Sequence, residues 1–290
     1  MFKQIAVFGL GLLGGSICKG LKEIDPGIFI TAYSRNTAKL EPSLREKFVD
    51  EIRGYNTLSL FGIDLAVVAM PVGASIEVIK QLLEHHELRE DAIIIDVGSV
   101  KEKIIAAVQG CAKARQFIGC HPMAGSEKTG FEFSNGALFS GASVIITPHR
   151  GNLKSDIFRV KELWELLGSL VVIISPAYHD LCVTYTSHLP HMMASSLVSL
   201  LIGFQKIRGS TDDIRSFIGR GFMDVTRISS GSPDMWRDIV LFNKKNVLDA
   251  LSLMIEELLR LREAVNHSES RTRYLHDYFN KVKKTRDMLE

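Results

Sequence analysis

The chain has 290 residues, enough for one large or two ordinary domains, and its 46% hydrophobic and 23% charged residues are typical of a globular protein. A formal net charge of +2 gives no electrostatic reason to expect a nucleic acid or a membrane surface as a partner. The four cysteines form no Cys-x-x-Cys pair and no apolar run could span a bilayer or act as a signal segment, so we expect a cytoplasmic protein without a disulfide or zinc framework.

A glycine-rich turn near the N-terminus joins a predicted strand at 3–8 to a predicted helix at 12–24, in the spacing Gly-x-Gly-x-x-Gly. The first glycine permits the sharp turn, the second lets a pyrophosphate approach the backbone, and the third lets the helix pack closely on the strand. The free N–H groups of the helix N-terminus then face the phosphates. This context predicts a dinucleotide site, although a glycine-rich turn of another α/β protein is the alternative. The residues predicted to bind the cofactor here are Gly9, Gly11, Leu12, Leu13 and Gly14.

The end of the next predicted strand, 28–33, bears on the choice of cofactor. An acidic residue at this place usually binds the ribose 2′-hydroxyl, but here Ser34 and Arg35 follow the strand. No carboxylate repels a 2′-phosphate, while a hydroxyl and a guanidinium are available to bind one. We therefore favour NADP and leave NAD possible; the alternative is that Arg35 is only a solvated surface residue.

Strands and helices continue to alternate up to about residue 175, which predicts a Rossmann-type, doubly wound and mostly parallel sheet. Ligands of such sheets lie beyond the carboxyl ends of the strands, so topology places Pro71 and Ser99 beside the cofactor. After Pro176 the pattern is helical only. We therefore predict a dinucleotide-binding domain at 1–175 and an all-α domain at 176–290.

The nearly all-apolar stretch 192–204 needs a second surface to cover it, which favours a homodimer through the helical domain. The further predicted strands are 63–69, 92–97, 117–119, 144–148 and 170–175, with helices at about 74–84, 100–113, 155–168, 177–204, 210–222, 234–265 and 268–288.

With these pieces assembled, the chain resembles the prephenate and arogenate dehydrogenases, the TyrA family of tyrosine biosynthesis. The resemblance covers essentially the whole chain and depends on six segments that occur in the same order. These segments are Gly9–Ser16, Asp96–Lys101, His121–Glu127, Ser187–His191, Gly221–Arg227 and Met235–Ile239.

The resemblance implies a nucleotide-binding domain, a helical dimerisation domain, and NAD(P)-dependent oxidative decarboxylation of a cyclohexadiene acid. It assigns His121 as the base that accepts the proton of the ring hydroxyl, and a neutral imidazole suits that task near pH 7. Ser99 is expected to hydrogen-bond the same hydroxyl or to orient the histidine. The alternative for His121 is a capping or packing histidine before a proline.

The resemblance also implies the substrate contacts. Arg227 is expected to anchor the ring carboxylate, because a guanidinium binds a carboxylate through two parallel hydrogen bonds. An interhelical ion pair is the alternative, and Asp224 could pair with Arg227 while holding it in place. His191 is expected to face the substrate side chain and His188 to support the site, with a core histidine as the alternative for His188. Glu127 is expected to close the pocket.

The spacing of the two histidines also suggests a metal site, but no nearby set of ligands completes it, and we predict no metal. Two other functions stay open at this point. One is a dehydrogenase of the same architecture acting on hydroxy or imino acids, and the other is a silent NADP-sensing protein that binds partners through its helical half. The choice between prephenate and arogenate is also open, since these acids differ only by a keto or an amino group.

Overall fold

A computed structural model describes residues 1–125, 128, 130–208, 214–266 and 268–289. The chain divides into two compact units, Met1–Lys244 and Lys245–Glu290. The first unit contains the sheet and every residue singled out as a candidate for chemistry, whereas the second consists of helical residues from the last two helices of the chain.

An eight-stranded sheet of order β3-β2-β1-β4-β5-β6-β7-β8 organises the first unit. All pairs are parallel except β6 with β7. The predicted mostly parallel, doubly wound sheet is confirmed. Its elements are β1 (Gln4–Phe8), α1 (Leu12–Ile24), β2 (Phe29–Tyr33), α2 (Glu41–Arg45), β3 (Glu51–Arg53), β4 (Leu65–Val68), α3 (Val72–Glu84), β5 (Ile93–Asp96), α4 (Glu102–Val108), β6 (Phe117–Pro122), β7 (Ser143–Thr147), α5 (Lys154–Leu166) and β8 (Leu170–Ile173).

The sheet is covered on both faces, which explains why its central strands are continuously apolar. One buried cluster joins β1 and β5 to α1 and α5, and a second joins the opposite face of β4 and β5 to α3 and α4. This two-sided burial fixes the carboxyl ends of β1, β4, β5 and β6 along one edge of the parallel part of the sheet, where ligands of such sheets bind.

One strand is longer than predicted. We expected a strand at 117–119 followed by His121, but β6 runs to Pro122 because its second half pairs with the antiparallel β7. His121 therefore lies within a strand, opposite Ile145, and not in a loop beyond it. A strand backbone restrains this imidazole more firmly than a loop would.

The region after β8 is helical, as predicted, but two long predicted helices are interrupted. A five-residue π-helical turn, Thr184–His188, interrupts the stretch predicted at 177–204, and Asn243 separates the two helices that replace the stretch predicted at 234–265. Among the described residues, no helix combines the length and apolar character needed to cross a bilayer. The helices are α6 (Pro176–Val183), α7 (Leu189–Arg208), α8 (Arg220–Thr226), α9 (Pro233–Phe242), α10 (Lys244–Asn266) and α11 (Ser268–Asp287).

Candidate active site

The turn between β1 and α1 has the geometry that a bound pyrophosphate requires. Gly9 has φ +94°, and a Cβ atom on Gly14 would lie 2.1 Å from the Gly9 carbonyl oxygen, so neither position accommodates a side chain. A Cβ atom on Gly11 would instead meet nothing within 4 Å. The first turn of α1 carries no acidic residue, and Gly11 caps it without a side-chain hydrogen bond. The amides of Leu12 and Leu13 begin this helix, so the turn fits a phosphate group.

The other predicted cofactor residues follow the carboxyl ends of neighbouring strands. Ser34 and Arg35 come directly after β2, Pro71 caps α3 after β4, and the half-buried Ser99 follows β5. The Ser34 hydroxyl accepts a hydrogen bond from the backbone N–H of Asn36 at 3.1 Å, which holds this turn. Arg35 is exposed. These positions remain predictions as cofactor contacts.

A chain of three buried side chains begins at His121. Its Nδ1 lies 2.8 Å from Nε2 of His179, and Nδ1 of His179 lies 2.7 Å from Oδ1 of Asp180. Both carboxylate oxygens of Asp180 accept backbone N–H groups at the start of α4, from Lys101 at 2.8 Å and from Glu102 at 3.0 Å. The helix N-terminus favours a negative charge at this place.

This chain determines which nitrogen of His121 can accept a proton. A carboxylate only accepts hydrogen bonds, so Nδ1 of His179 carries a hydrogen, and Nε2 of a neutral His179 is then an acceptor. Nδ1 of His121 must therefore be the donor between the two rings, which leaves Nε2 of His121 with a free lone pair. The imidazole is thus arranged as a proton acceptor.

The surroundings keep His121 neutral. Burial lowers the pKa of His121 well below its usual value of 6.5, and the neighbouring His179, Lys101 and His188 lower it further. Lys101 is completely buried, and its Nζ contacts Asp96 and donates to the Cys120 carbonyl at 2.7 Å.

The same lysine and carboxylate join β5 to β6. Asp96 accepts the N–H of Gly98 at 2.9 Å, just before Ser99, and the N–H of Cys120 at 3.2 Å, just before His121. A single buried ion pair therefore holds the backbone next to both predicted catalytic residues.

His188 and His191 lie beside the same aromatic ring. The rings of His191 and Trp236 stack with centroids 3.4 Å apart, and His188 meets the indole edge-on at 6.1 Å. Burial lowers the pKa of His191, and a hydrogen bond to the backbone of Ile228 opposes this shift. For His188, burial lowers the pKa to about 4. Both rings are therefore uncharged near neutral pH.

The remaining predicted substrate residues lie at the end of α8. Asp224 and Arg227 are exposed, and Arg227 directly precedes Ile228, whose backbone bonds His191. Glu127 lies outside the described residues. Within the described ranges, no group of three or more His, Cys, Asp or Glu side chains could hold a metal ion.

Sequence reasoning did not assign the residues that support His121 and His188. His179 and Asp180 follow Ser175 and Pro176, which begin α6, but a His-Asp pair on a helix is an ordinary exposed feature until the fold buries it. Asn243 was included in a continuous helix. The segments on which the resemblance depends include Lys101, Asp96 and Trp236, but no function was predicted for these three residues.

The comparisons with known proteins cover both halves of the chain. Residues 17–173 match the family model described as prephenate dehydrogenase, nucleotide-binding domain, and residues 175–281 match the one described as prephenate dehydrogenase, dimerization domain.

Individual relatives match over the full length of this chain. Prephenate dehydrogenase of Bacillus subtilis is 32% identical over all of this chain and 76% of its own length, and cyclohexadienyl dehydrogenase of Zymomonas mobilis is 29% identical over 100% and 97%. The crystal structure of prephenate dehydrogenase from A. aeolicus, in complex with hydroxyphenyl propionate and NAD+, superposes with a TM-score of 0.88 at 34% identity, covering 100% of this chain and 99% of that one.

Proposed function

The chain belongs to the prephenate dehydrogenase family, and we propose that it catalyses the oxidative decarboxylation of prephenate to 4-hydroxyphenylpyruvate in tyrosine biosynthesis. The observation that carries the proposal is the hydrogen-bonded chain from Asp180 through His179 to His121. It provides a neutral acceptor nitrogen at the edge of the sheet where a dinucleotide would bind.

In this reaction Nε2 of His121 accepts the proton of the ring hydroxyl. The nicotinamide, when bound, supplies the acceptor for the hydride that leaves the same carbon. The imidazolium formed at His121 is stabilised by the hydrogen bond to His179, because the Asp180 carboxylate polarises that second ring. Ser99, at the end of β5, orients the hydroxyl. Carbon dioxide then leaves from the ring carboxylate, the electron pair of the broken bond passes into the ring as it becomes aromatic, and the phenolate oxygen takes back the proton from Nε2 of His121.

The substrate carboxylates need fixed donors. Arg227 is assigned to the ring carboxylate, with Asp224 holding it in place, and His191 to the side chain, with its imidazole fixed by the Trp236 ring. The ring carboxylate departs as neutral carbon dioxide, so its pairing with Arg227 weakens along the reaction. Arg227 therefore contributes mainly to binding and position. Glu127 keeps its assignment as the residue that closes the pocket.

We assign NADP as the preferred cofactor. Gly9, Gly11 and Gly14 shape the pyrophosphate site, and Ser34 and Arg35 supply a hydroxyl and a cation where an NAD-specific site carries an acidic side chain. A relative whose crystal structure contains NAD+ has a closely similar fold, so the two cofactors must be compared directly.

We further propose a homodimer formed through the helical region. One matching family model describes a dimerization domain over 175–281. Several apolar side chains of α7 are exposed in the single chain, including Leu200 at 70%, Ile202 and Phe204. A second copy would cover this surface. The predicted boundary at residue 175 stays a prediction.

One spectrophotometric assay tests the proposal. Prephenate and then arogenate are supplied with NADP or NAD, and the absorbance of the reduced nicotinamide is followed. We expect turnover of prephenate with NADP. Turnover of arogenate alone would reassign the substrate within the family, and binding of NADP without turnover of either acid would contradict the proposed reaction and favour the sensing alternative.

A further inference from the structure

Asn243 joins the two parts of the site that sequence analysis treated separately. It is a buried residue, 4% exposed, between α9 and α10. Its Nδ2 atom lies 3.0 Å from the Asp180 carbonyl oxygen, 2.8 Å from Oγ1 of Thr184 and 3.1 Å from Nδ1 of His188. One side-chain amide thus contacts the residue that anchors the His121 chain, the π-helical turn and a second histidine.

The orientation of this amide follows from its partners. A backbone carbonyl only accepts hydrogen bonds, so the group facing the Asp180 carbonyl must be the NH₂ end of Asn243 and not its oxygen. The Thr184 hydroxyl donates to the same carbonyl at 2.6 Å, and its oxygen is therefore free to accept from Asn243.

The amide in turn determines the tautomer of His188. An NH₂ group has two hydrogens and no acceptor, so a hydrogen on Nδ1 of His188 would face a donor. Nδ1 is therefore the unprotonated nitrogen, and the hydrogen of the neutral ring lies on Nε2. This Nε2 atom is buried, and none of the described residues accepts a hydrogen bond from it. His188 and His121 are therefore opposite in character: Nε2 accepts in His121 and donates in His188.

We propose that Asn243 is a positioning residue, which holds His188 in the Nε2–H form so that this group donates a hydrogen bond to the side-chain carboxylate of the bound substrate. The proposal deepens the proposed function and rests on it for the substrate class. The ring hydroxyl is assigned to His121, and the carboxylates of that substrate class only accept hydrogen bonds. A buried N–H without a protein acceptor suits such a group.

Paired substitutions of His188 test which nitrogen matters. The side-chain NH₂ of His188→Gln reaches the place of Nε2, whereas that of His188→Asn reaches only the place of Nδ1, where Asn243 already donates. We expect KM for prephenate to rise about 3-fold in His188→Gln and roughly 10- to 100-fold in His188→Asn, with the Kd for NADP unchanged in both. Equal KM values in the two variants would overturn the assignment of the donor to Nε2.

Substitution of Asn243 tests the positioning role, with Asn152 as its matched control. The Asn152 amide also contacts two backbone carbonyls, of Arg115 and Phe117, and a histidine ring, His149, but it lies outside the site. We expect Asn243→Leu to raise KM about 10-fold or more and Asn152→Leu to leave KM unchanged. A KM within about 2-fold of wild type in a folded Asn243→Leu protein would overturn the proposal.

NMR of the full chain labelled with ¹⁵N-histidine reads the tautomer without turnover, with His188 assigned from the spectrum of His188→Gln. We expect a hydrogen on Nε2 in the wild type, a mixture of tautomers in Asn243→Leu, and a shift of the Nε2–H signal when hydroxyphenylpropionate and NADP are added. A hydrogen on Nδ1 in the wild type, or no shift on adding this carboxylate, would overturn the proposal. If the tautomer is as expected but neither prephenate nor arogenate is oxidised, the proposed function fails and the Asn243–His188 pairing stands.

Discussion

Replacing His179 by leucine tests whether the second histidine controls the first. The substitution removes the acceptor that lies 2.8 Å from Nδ1 of His121 and separates His121 from the Asp180 carboxylate. The hydrogen of His121 is then free to move to Nε2, the nitrogen that must accept the substrate proton. Asp180 keeps both backbone hydrogen bonds at the start of α4, so the local fold has a remaining anchor.

The size of the effect follows from the burial of the pair. Leaving a buried donor without its acceptor costs about 1–3 kcal/mol, and about 1.4 kcal/mol corresponds to a tenfold change in rate. This loss alone slows the reaction by roughly 5- to 150-fold. The imidazolium also loses the stabilisation that Asp180 provides through His179. We therefore expect kcat of His179→Leu to fall on the order of 100-fold.

The assay compares His179→Leu with His179→Gln. A glutamine can turn its carbonyl oxygen towards Nδ1 of His121 and keep an acceptor there, so its kcat should fall by about 10-fold or less. Both variants are assayed for kcat and KM with prephenate, for the Kd of NADP by fluorescence, and for the melting temperature. A His179→Leu enzyme that keeps kcat within about 3-fold of wild type would refute the tautomer reasoning.

Four further outcomes are expected. The pKa of His188 is about 4 in the folded protein and ordinarily 6.5, so the unfolded chain binds a proton at His188 first as the pH falls. The free energy of unfolding should therefore drop by about 3 kcal/mol between pH 6.5 and 4. Urea unfolding of wild type and His188→Gln should show a smaller drop in the variant, and equal drops would contradict His188 as the cause of the loss. His121→Asn should lower kcat by roughly 100-fold or more with normal NADP binding, and retention of most of kcat would remove His121 from the mechanism. Arg227→Ala should raise KM more than it lowers kcat, and a large loss of kcat at unchanged KM would contradict a binding role. Arg35→Ala should reduce the preference for NADP over NAD in kcat/KM by about 10-fold or more, and an unchanged ratio would make Arg35 a solvated surface residue.

The nucleotide-binding half could be predicted because its signals are local. The helix predicted at 12–24 is observed at Leu12–Ile24, since its start is determined by neighbouring glycines. The antiparallel extension of β6 was not predictable in the same way. It depends on pairing with β7, more than twenty residues away, and a single strand sequence does not show which partner it will have.

The support of the site could not be predicted because it is entirely non-local. His121 and His179 are 58 residues apart, and Asn243 is 55 residues from His188. Helical periodicity across Asn243 is nearly unbroken, so the sequence favours one helix where the structure has two. These polar side chains pair with each other because the fold buries them, and their burial cannot be read from the sequence.

The number of residues in the π-helical turn at Thr184–His188 determines the geometry of the site that follows it. Each residue of a helix advances the direction of the side chains by about 100°, so the length of this turn sets the azimuth of all that follows it. Deleting one residue here would leave an intact helix but rotate the His191 side chain away from the indole of Trp236. Relatives that share the helix but not the count from His179 to His191 would therefore have lost the geometry of the site while keeping its architecture.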